Sequence, residues 1–205
     1  MPSSFKILKQ IYEGAEAKLF LILLDSKKYI LKQRIDKNYR VKKLNDKIIK
    51  FRIRRESKIL EKVGKLKLKV PKVKETNLAE KQIIMEFIDA KGLINYIPKD
   101  KNLLKKLAKD IVKLHNNNII HGDITLENIL YDPKTKKNIL IDFGLAFESH
   151  KIEDFATDLA VFKSSLTADF SEDHWDLFLN EYLKKTIHPT IKTQLEKVEK
   201  RKKYN

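Results

Sequence analysis

The chain of 205 residues contains no cysteine. That excludes a disulfide scaffold, a thiol nucleophile and a thiolate metal site, and it agrees with an intracellular setting. Glycine is scarce, five residues in all. Each falls where a turn or a functional motif is expected: Gly14 in the first turn, Gly64 after a helix, Gly92 near a junction, and Gly122 and Gly144 inside polar motifs. That distribution fits the cost of glycine inside regular elements. No apolar run approaches the roughly 18–20 residues that cross a bilayer. The opening Met1-Pro2-Ser3-Ser4 lacks the charged stretch and apolar run of a secretory leader, so a cytoplasmic location with no membrane contact is expected. There is no internal repeat and no low-complexity linker.

Positive charge is abundant and unevenly placed. Lysine and arginine number 44 against 28 acids, a net of +16. Residues 27–74 hold 20 of the basic residues and 4 of the acids, and the rest of the chain cancels, so one segment carries the whole surplus. From Asp142 to Glu181 the balance reverses, with ten acids and two lysines. A segment as basic as 27–74 attracts polyanions through counterion release. The competing reading is a lysine-coated, solvated helix face. The interleaved Tyr39, Arg40 and Phe51 form no recognisable base-reading motif.

Phe5–Tyr12, Leu19–Leu24 and Tyr29–Lys32 read as strands of an antiparallel meander. Leu44, Ile48, Phe51, Ile59 and Val63 predict one long helix, stopped by Gly64. A strand starting at Val70-Pro71 belongs at a sheet edge, and Gln82–Ile88 is an apolar strand. After Gly92 the pattern turns helical. Leu103, Leu104, Leu107, Ile111 and Leu114 share a face, and Asn116-Asn117-Asn118 ends that helix. Another helix opens between Ser149 and Glu153, with Phe155, Leu159, Val161 and Phe162 as core positions, and two more cover about 173–185 and 189–203. The expected fold is α+β, a minimal bilobal protein-kinase-like arrangement. Residues 1–88 form an N-lobe of antiparallel sheet plus one main helix, and 89–205 a small, mostly helical C-lobe.

His121-Gly122-Asp123, Asn128 and Asp142-Phe143-Gly144 stand in the order of the magnesium-nucleotide half of a kinase-like site. Asp123 and Asp142 are nineteen residues apart, and each motif adjoins an apolar strand (128–131 and 139–141). Phosphoryl transfer asks for two oxygen ligands to hold Mg²⁺ on the phosphates and one carboxylate to orient the nucleophile. Asp123 takes the catalytic role, and Asn128 and Asp142 take the metal. His121 is a structural hydrogen-bonding residue, and the other four histidines show no metal-ligand spacing. Asp158, in an otherwise apolar helix, needs partners and is expected to brace the catalytic loop.

Lys32, ending the third strand, is the phosphate lysine, and Glu56, mid-helix, is its ion-pair partner. For Glu56 the competing reading is a surface charge satisfied by nearby arginines. The phosphate-covering loop has one glycine, in Gly14-Ala15-Glu16-Ala17, and covers phosphate through the backbone N–H groups of Gly14 and Ala15. Residues 84–88 form the hinge, where the adenine of ATP bonds the backbone at Glu86 and Ile88 with Met85 behind it. Only 61 residues follow Gly144. There is no long activation segment and no Ala-Pro-Glu, and Gly122 stands where protein kinases have an arginine, so activation-loop switching is not expected.

With these features, the run Leu31-Lys32-Gln33-Arg34 followed by Lys37-Asn38-Tyr39-Arg40 resembles one family. So do Arg52 with Glu56, Met85-Glu86, Asp142-Phe143-Gly144-Leu145 and Glu153-Asp154 with Asp158-Leu159. It is the small atypical kinase/ATPase subunit of the KEOPS (EKC) tRNA-modification complex, the PRPK-like family, and the likeness covers nearly the whole chain. The resemblance implies a Mg-ATP-dependent serine/threonine kinase/ATPase that supports threonylcarbamoyladenosine formation in tRNA. It implies a threonylcarbamoyl-transferase partner on the C-lobe and a small KEOPS subunit on the N-lobe. It also implies a basic tail, here Lys200-Arg201-Lys202-Lys203-Tyr204, that reaches tRNA; the 27–74 segment is the alternative tRNA contact. Thr125-Leu126-Glu127 departs from the family's Thr-Thr-Ser, and the tail has a single arginine. The rival readings are a RIO-like or other small serine/threonine kinase acting in trans, and a non-catalytic tRNA-binding scaffold.

Overall fold

The computed structural model describes residues 5–36 and 41–202. The Lys37–Arg40 motif, the opening Met1–Ser4 and the tail from Lys203 lie outside the described residues. The chain forms two compact units, one running to Lys65 and including Val70–Asp89, the other joining Leu66–Lys69 to the chain from Ala90 onward.

The first unit is built on β1 (Lys6–Glu13), β2 (Ala17–Leu24), β3 (Lys27–Arg34), α1 (Lys42–Lys65), β4 (Val73–Asn77) and β5 (Gln82–Glu86). Its sheet is antiparallel throughout, in the order β1-β2-β3-β5-β4. Strand side chains alternate between faces. On one face Ile22, Leu24, Leu31 and Ile84 pack with Phe20 and Tyr29. On the other, Ile83 and Met85 pack against Ile49 and Ile53 of α1, with Ile30 alongside. The same alternation sends Lys32 and Arg34 to the α1 face. β4 does lie at the sheet edge, but it begins at Val73; Val70 and Pro71 are buried ahead of it.

The second unit contains β6 (Lys91–Gly92), α2 (Asn102–His115), β7 (Ile119–Ile120), β8 (Ile129–Asp132), β9 (Lys137–Leu140), β10 (Phe147–Glu148), α3 (Ile152–Asp169), α4 (Glu172–Leu183) and α5 (Ile191–Lys202). β6, β8 and β9 form one small sheet, and β7 pairs with β10. α2 packs on α4 and α3 on α5. Phe155, Leu159 and Phe162 are buried as expected, whereas Val161 is half-buried. Leu66–Lys69 joins this unit through the Leu140 N–H, which donates to the Lys69 carbonyl at 3.1 Å.

The scarcity of glycine has a visible consequence. Among the described residues, seven other than glycine take positive φ: Asp25, Ser26, Lys67, Lys81, Asn118, Lys136 and Asp142. Asp25 and Ser26 form the two-residue β2–β3 hairpin, where both central residues need the left-handed region. Gly64 is not the helix stop. It sits inside the last turn of α1, with open space where a Cβ would be, and the reversal falls on Lys67 at φ 60°. A lysine in the left-handed region gives no turn signal in the sequence, which is why the stop reads three residues early. Replacing Gly64 with Ala is expected to stabilise the fold by about 0.5–1 kcal/mol. Lys67→Gly is expected to add about 1 kcal/mol by relieving left-handed strain. Urea midpoints of the two single variants check both.

Candidate nucleotide-binding residues in the two units

In the first unit the chemistry centres on Glu56, 1% exposed. Lys32 and Arg34 stand two apart on β3 and so point the same way. The Lys32 Nζ donates to Glu56 Oε1 at 2.8 Å, and the Arg34 guanidinium donates to Oε2 at 2.5 Å. A carboxylate this far from water needs both oxygens compensated, and the two cations do so. The reading of Glu56 as a surface charge is thereby excluded. Lys32 is itself 5% exposed.

Arg34 links this pair to the covering loop. It reaches Glu16 Oε2 at 3.5 Å, and the Arg52 guanidinium donates to the same oxygen. The Ile35 N–H donates to the Glu16 carbonyl at 3.1 Å. Glu16 is therefore tied to β3 and α1. The Gly14 N–H donates to the Ala17 carbonyl at 3.0 Å, so that donor works inside the loop. Met85 turns its side chain into the core beside Ile49 and Ile53. The Glu86 N–H donates to the Lys72 carbonyl at 2.8 Å, and Ile88 lies half-buried just past β5.

In the second unit Asp123 and Asn128 bracket one short loop. The Asn128 Nδ2 donates to the Asp123 carbonyl at 2.9 Å and to its Oδ2 at 3.1 Å. With its nitrogen so engaged, the amide turns its oxygen away from Asp123. The Ile141 N–H donates to the Asn128 carbonyl at 3.0 Å, which ties the strand end before Asp142 to this loop. Asp142 is exposed and holds φ at 57°, a strained value for a non-glycine residue. Its Oδ1 accepts from the Gly144 N–H at 3.2 Å. A carboxylate and an amide oxygen are hard donors, and as a pair they suit Mg²⁺ and not a softer metal. Gly122, at φ 81°, has no alternative side chain: a Cβ there would lie 2.6 Å from the Leu145 carbonyl oxygen. The arginine of ordinary protein kinases is thus excluded by backbone geometry.

Asp158 braces this loop. Its Oδ2 accepts from the His121 N–H at 2.8 Å and from His115 Nε2 at 3.2 Å, and its Oδ1 accepts from the Gly122 N–H at 2.9 Å. Burial acts to raise the Asp158 carboxyl, but the hydrogen bonds from His115 and from the His121 N–H outweigh it and hold the group below the usual carboxylate range. His115 Nδ1 in turn accepts from the Tyr182 hydroxyl at 2.8 Å, and burial raises the Tyr182 phenol. Neither His115, Tyr182 nor the double role of Arg34 stands out in the sequence. The partners of His115 and Tyr182 lie 43 and 67 residues away and those of Arg34 lie 22 and 18 away, and no local pattern marks them.

A model of the RIO domain matches residues 17–160. The chain is 37% identical over 195 residues to a probable bifunctional tRNA threonylcarbamoyladenosine biosynthesis protein of Methanosphaera stadtmanae, covering 94% of this chain and 36% of that protein. It therefore spans about a third of that relative's length. It is 32% identical over 207 residues to the EKC/KEOPS complex subunit BUD32 of Enterocytozoon bieneusi, covering 93% of this chain and 96% of that one. Among solved structures, the Rio2 kinase-ADP/Mg²⁺-phosphoaspartate complex from Chaetomium thermophilum superposes with a TM-score of 0.66 at 16% identity, over 98% of this chain and 72% of that one. At that identity the likeness shows the fold alone.

His121 supplies a pH test of the loop. Burial holds its imidazole below the ordinary value, with Asp158 only partly offsetting this, and its Nε2 donates to the Ile141 carbonyl at 3.1 Å. The unfolded chain takes up a proton near pH 6.5 that the folded chain refuses, so stability falls as pH drops from about 6.5 toward the depressed folded value. His121→Leu is expected to be less stable at pH 7.5 yet to lose less stability between about pH 6.5 and 5 than the parent. Urea titrations at several pH values measure that difference.

Proposed function

The chain belongs to the RIO-domain family and, within it, stands with the Bud32 subunits of KEOPS complexes, and on that premise we propose that it is a Mg-ATP-dependent atypical kinase/ATPase supporting threonylcarbamoyladenosine formation in tRNA. The observation that carries the reading is the loop on which Asn128 holds Asp123 through two hydrogen bonds, braced by Asp158 and joined by a backbone hydrogen bond to the residue before Asp142.

Among the described residues no group of three or more His, Cys, Asp or Glu is arranged to hold a metal ion. Two protein oxygens suit a magnesium ion that arrives with its nucleotide and takes its other ligands from phosphate and water. When bound, Mg²⁺ neutralises the charge that develops on the β- and γ-phosphates. Lys32, fixed by Glu56, neutralises the α- and β-phosphates. Gly14 and Ala15 belong to the loop that covers them, and the backbone around Met85, Glu86 and Ile88 takes the adenine. Asp123 orients the attacking oxygen and accepts its proton as the bond from the γ-phosphorus to the bridging oxygen breaks. In hydrolysis the attacking oxygen is water, and in kinase action it is a serine or threonine hydroxyl.

The relatives' names support an assembly. We place the threonylcarbamoyl-transferase on the second unit, a small KEOPS subunit on the first, and tRNA on the basic 27–74 segment together with the C-terminal tail. The main rival, a serine/threonine kinase acting on another protein, shares the same site; labelled-ATP transfer to a partner, weighed against phosphate release, separates the two.

Phosphate release from ATP is expected to fall at least about a hundredfold in Asp142→Asn, a loss of about 2.7 kcal/mol of transition-state stabilisation. Release at the parental rate by a folded Asp142→Asn protein would remove the catalytic reading.

A further inference from the structure

We propose that the outward face of α1 is a docking surface for the phosphate backbone of RNA. The inference rests on the tRNA-directed reading above and gives it a place on the molecule.

α1 has 24 residues and, at the usual rise, is about 36 Å long. Its inner side buries Asn45, Ile49, Ile53, Glu56, Ile59 and Val63. Positions 47, 51, 54, 58, 61 and 65 recur three and four apart and form one stripe on the opposite side. All six are exposed: Lys47, Phe51, Arg54, Lys58, Glu61 and Lys65. Lys47, Arg54, Lys58 and Lys65 make no ion pair among the described residues.

The electrostatics of this face work against the helix that carries it. Lys43 and Lys47, and Arg54 and Lys58, are like charges four apart, an arrangement that opposes the helical state. The first turn opens with Lys42-Lys43 and has no acid, so cations sit at the positive end of the helix dipole. A lysine-coated helix that serves only solubility interleaves acids at four-residue spacing; here Glu61 is alone on the stripe. Repulsion of this kind is relieved when a polyanion lies along the face.

Two features favour RNA over an acidic protein. Lys47, Arg54, Lys58 and Lys65 stand seven, four and seven residues apart, about 10.5, 6 and 10.5 Å along the helix axis, an extended row of positive charge that suits a polymer charged at every nucleotide. In the middle of the row stands Phe51, 60% exposed, with the Arg55 guanidinium 5.5 Å above its ring centroid. An aromatic ring so exposed, with a planar cation on it, is a surface on which an unpaired base stacks.

The test uses the full chain, an unmodified tRNA transcript and fluorescence anisotropy from about 50 to 300 mM salt. The Lys47→Glu, Arg54→Glu, Lys58→Glu triple variant is expected to lose at least about tenfold in affinity at 100 mM salt. The slope of log affinity against log salt is expected to fall by about 2–3. A control triple, Lys134→Glu and Lys136→Glu in the β8–β9 turn with Lys137→Glu at the start of β9, carries the same charge change and is expected to bind within about twofold of the parent. Circular dichroism tracks folding, and the corresponding glutamine triple, expected to shift in the same direction, stands in if the charge-reversed one fails to fold. Equal loss in both triples, no loss in either, no tRNA binding by the parent, or displacement of tRNA by polyglutamate as readily as by polyuridylate each overturns the inference. ATP hydrolysis on the same samples keeps the two claims apart. A parent that hydrolyses ATP without binding tRNA sinks the docking face alone, whereas a parent that binds tRNA without hydrolysing ATP sinks the catalytic reading.

Discussion

Glu56 is almost wholly removed from water, and its charge persists there because Lys32 and Arg34 each bring a cation to one of its oxygens. An unpaired carboxylate in that position would be protonated or would pull water into the unit. The arrangement therefore fixes Lys32 on β3 against the middle of α1, and through Arg34 it holds Glu16 of the loop as well. Strand, helix and loop become one electrostatic body. A buried pair of this kind is weak as a source of stability; its use here is to fix a lysine in one place.

The second unit solves a related problem with Asp158. Its two oxygens gather the N–H groups of His121 and Gly122, and His115 and Tyr182 continue the chain of hydrogen bonds into α2 and α4. The loop that carries Asp123 and Asn128 is thus shaped from behind, by residues that take no part in the chemistry. Gly122 completes the shape, because the approach of the Leu145 carbonyl leaves no room for a Cβ. The absence of the usual arginine is a packing requirement of this backbone.

Much of this was legible in the sequence, for physical reasons. Lys32, Glu56, Asp123, Asn128 and Asp142 lie at spacings set by strand, helix and hairpin geometry, and those spacings survive in the chain as pattern. Asp158 was legible because an acid in an apolar helix demands partners. Arg34 carries a signal only through the family resemblance. Its pairing with Glu56 depends on strand alternation meeting a helix 22 residues away, which no local signal shows. His115 showed no ligand spacing, and its task appears only when α2, α3 and α4 come together. The stop of α1 was misread because a lysine, not a glycine, takes the left-handed turn. Val70-Pro71 was read as a strand start because proline marks a sheet edge, although pairing begins at Val73.

The central claim is that nucleotide and magnesium bind as one unit, on the proposal that the metal takes the Asp142 carboxylate and the Asn128 amide oxygen from the protein and its other ligands from phosphate and water. Titration calorimetry with a non-hydrolysable ATP analogue, with and without magnesium, tests this most directly. The account predicts binding that strengthens at least about tenfold when magnesium is added, an advantage absent in Asp142→Ala. An analogue that fails to bind at all, or that binds equally with and without the metal, contradicts it.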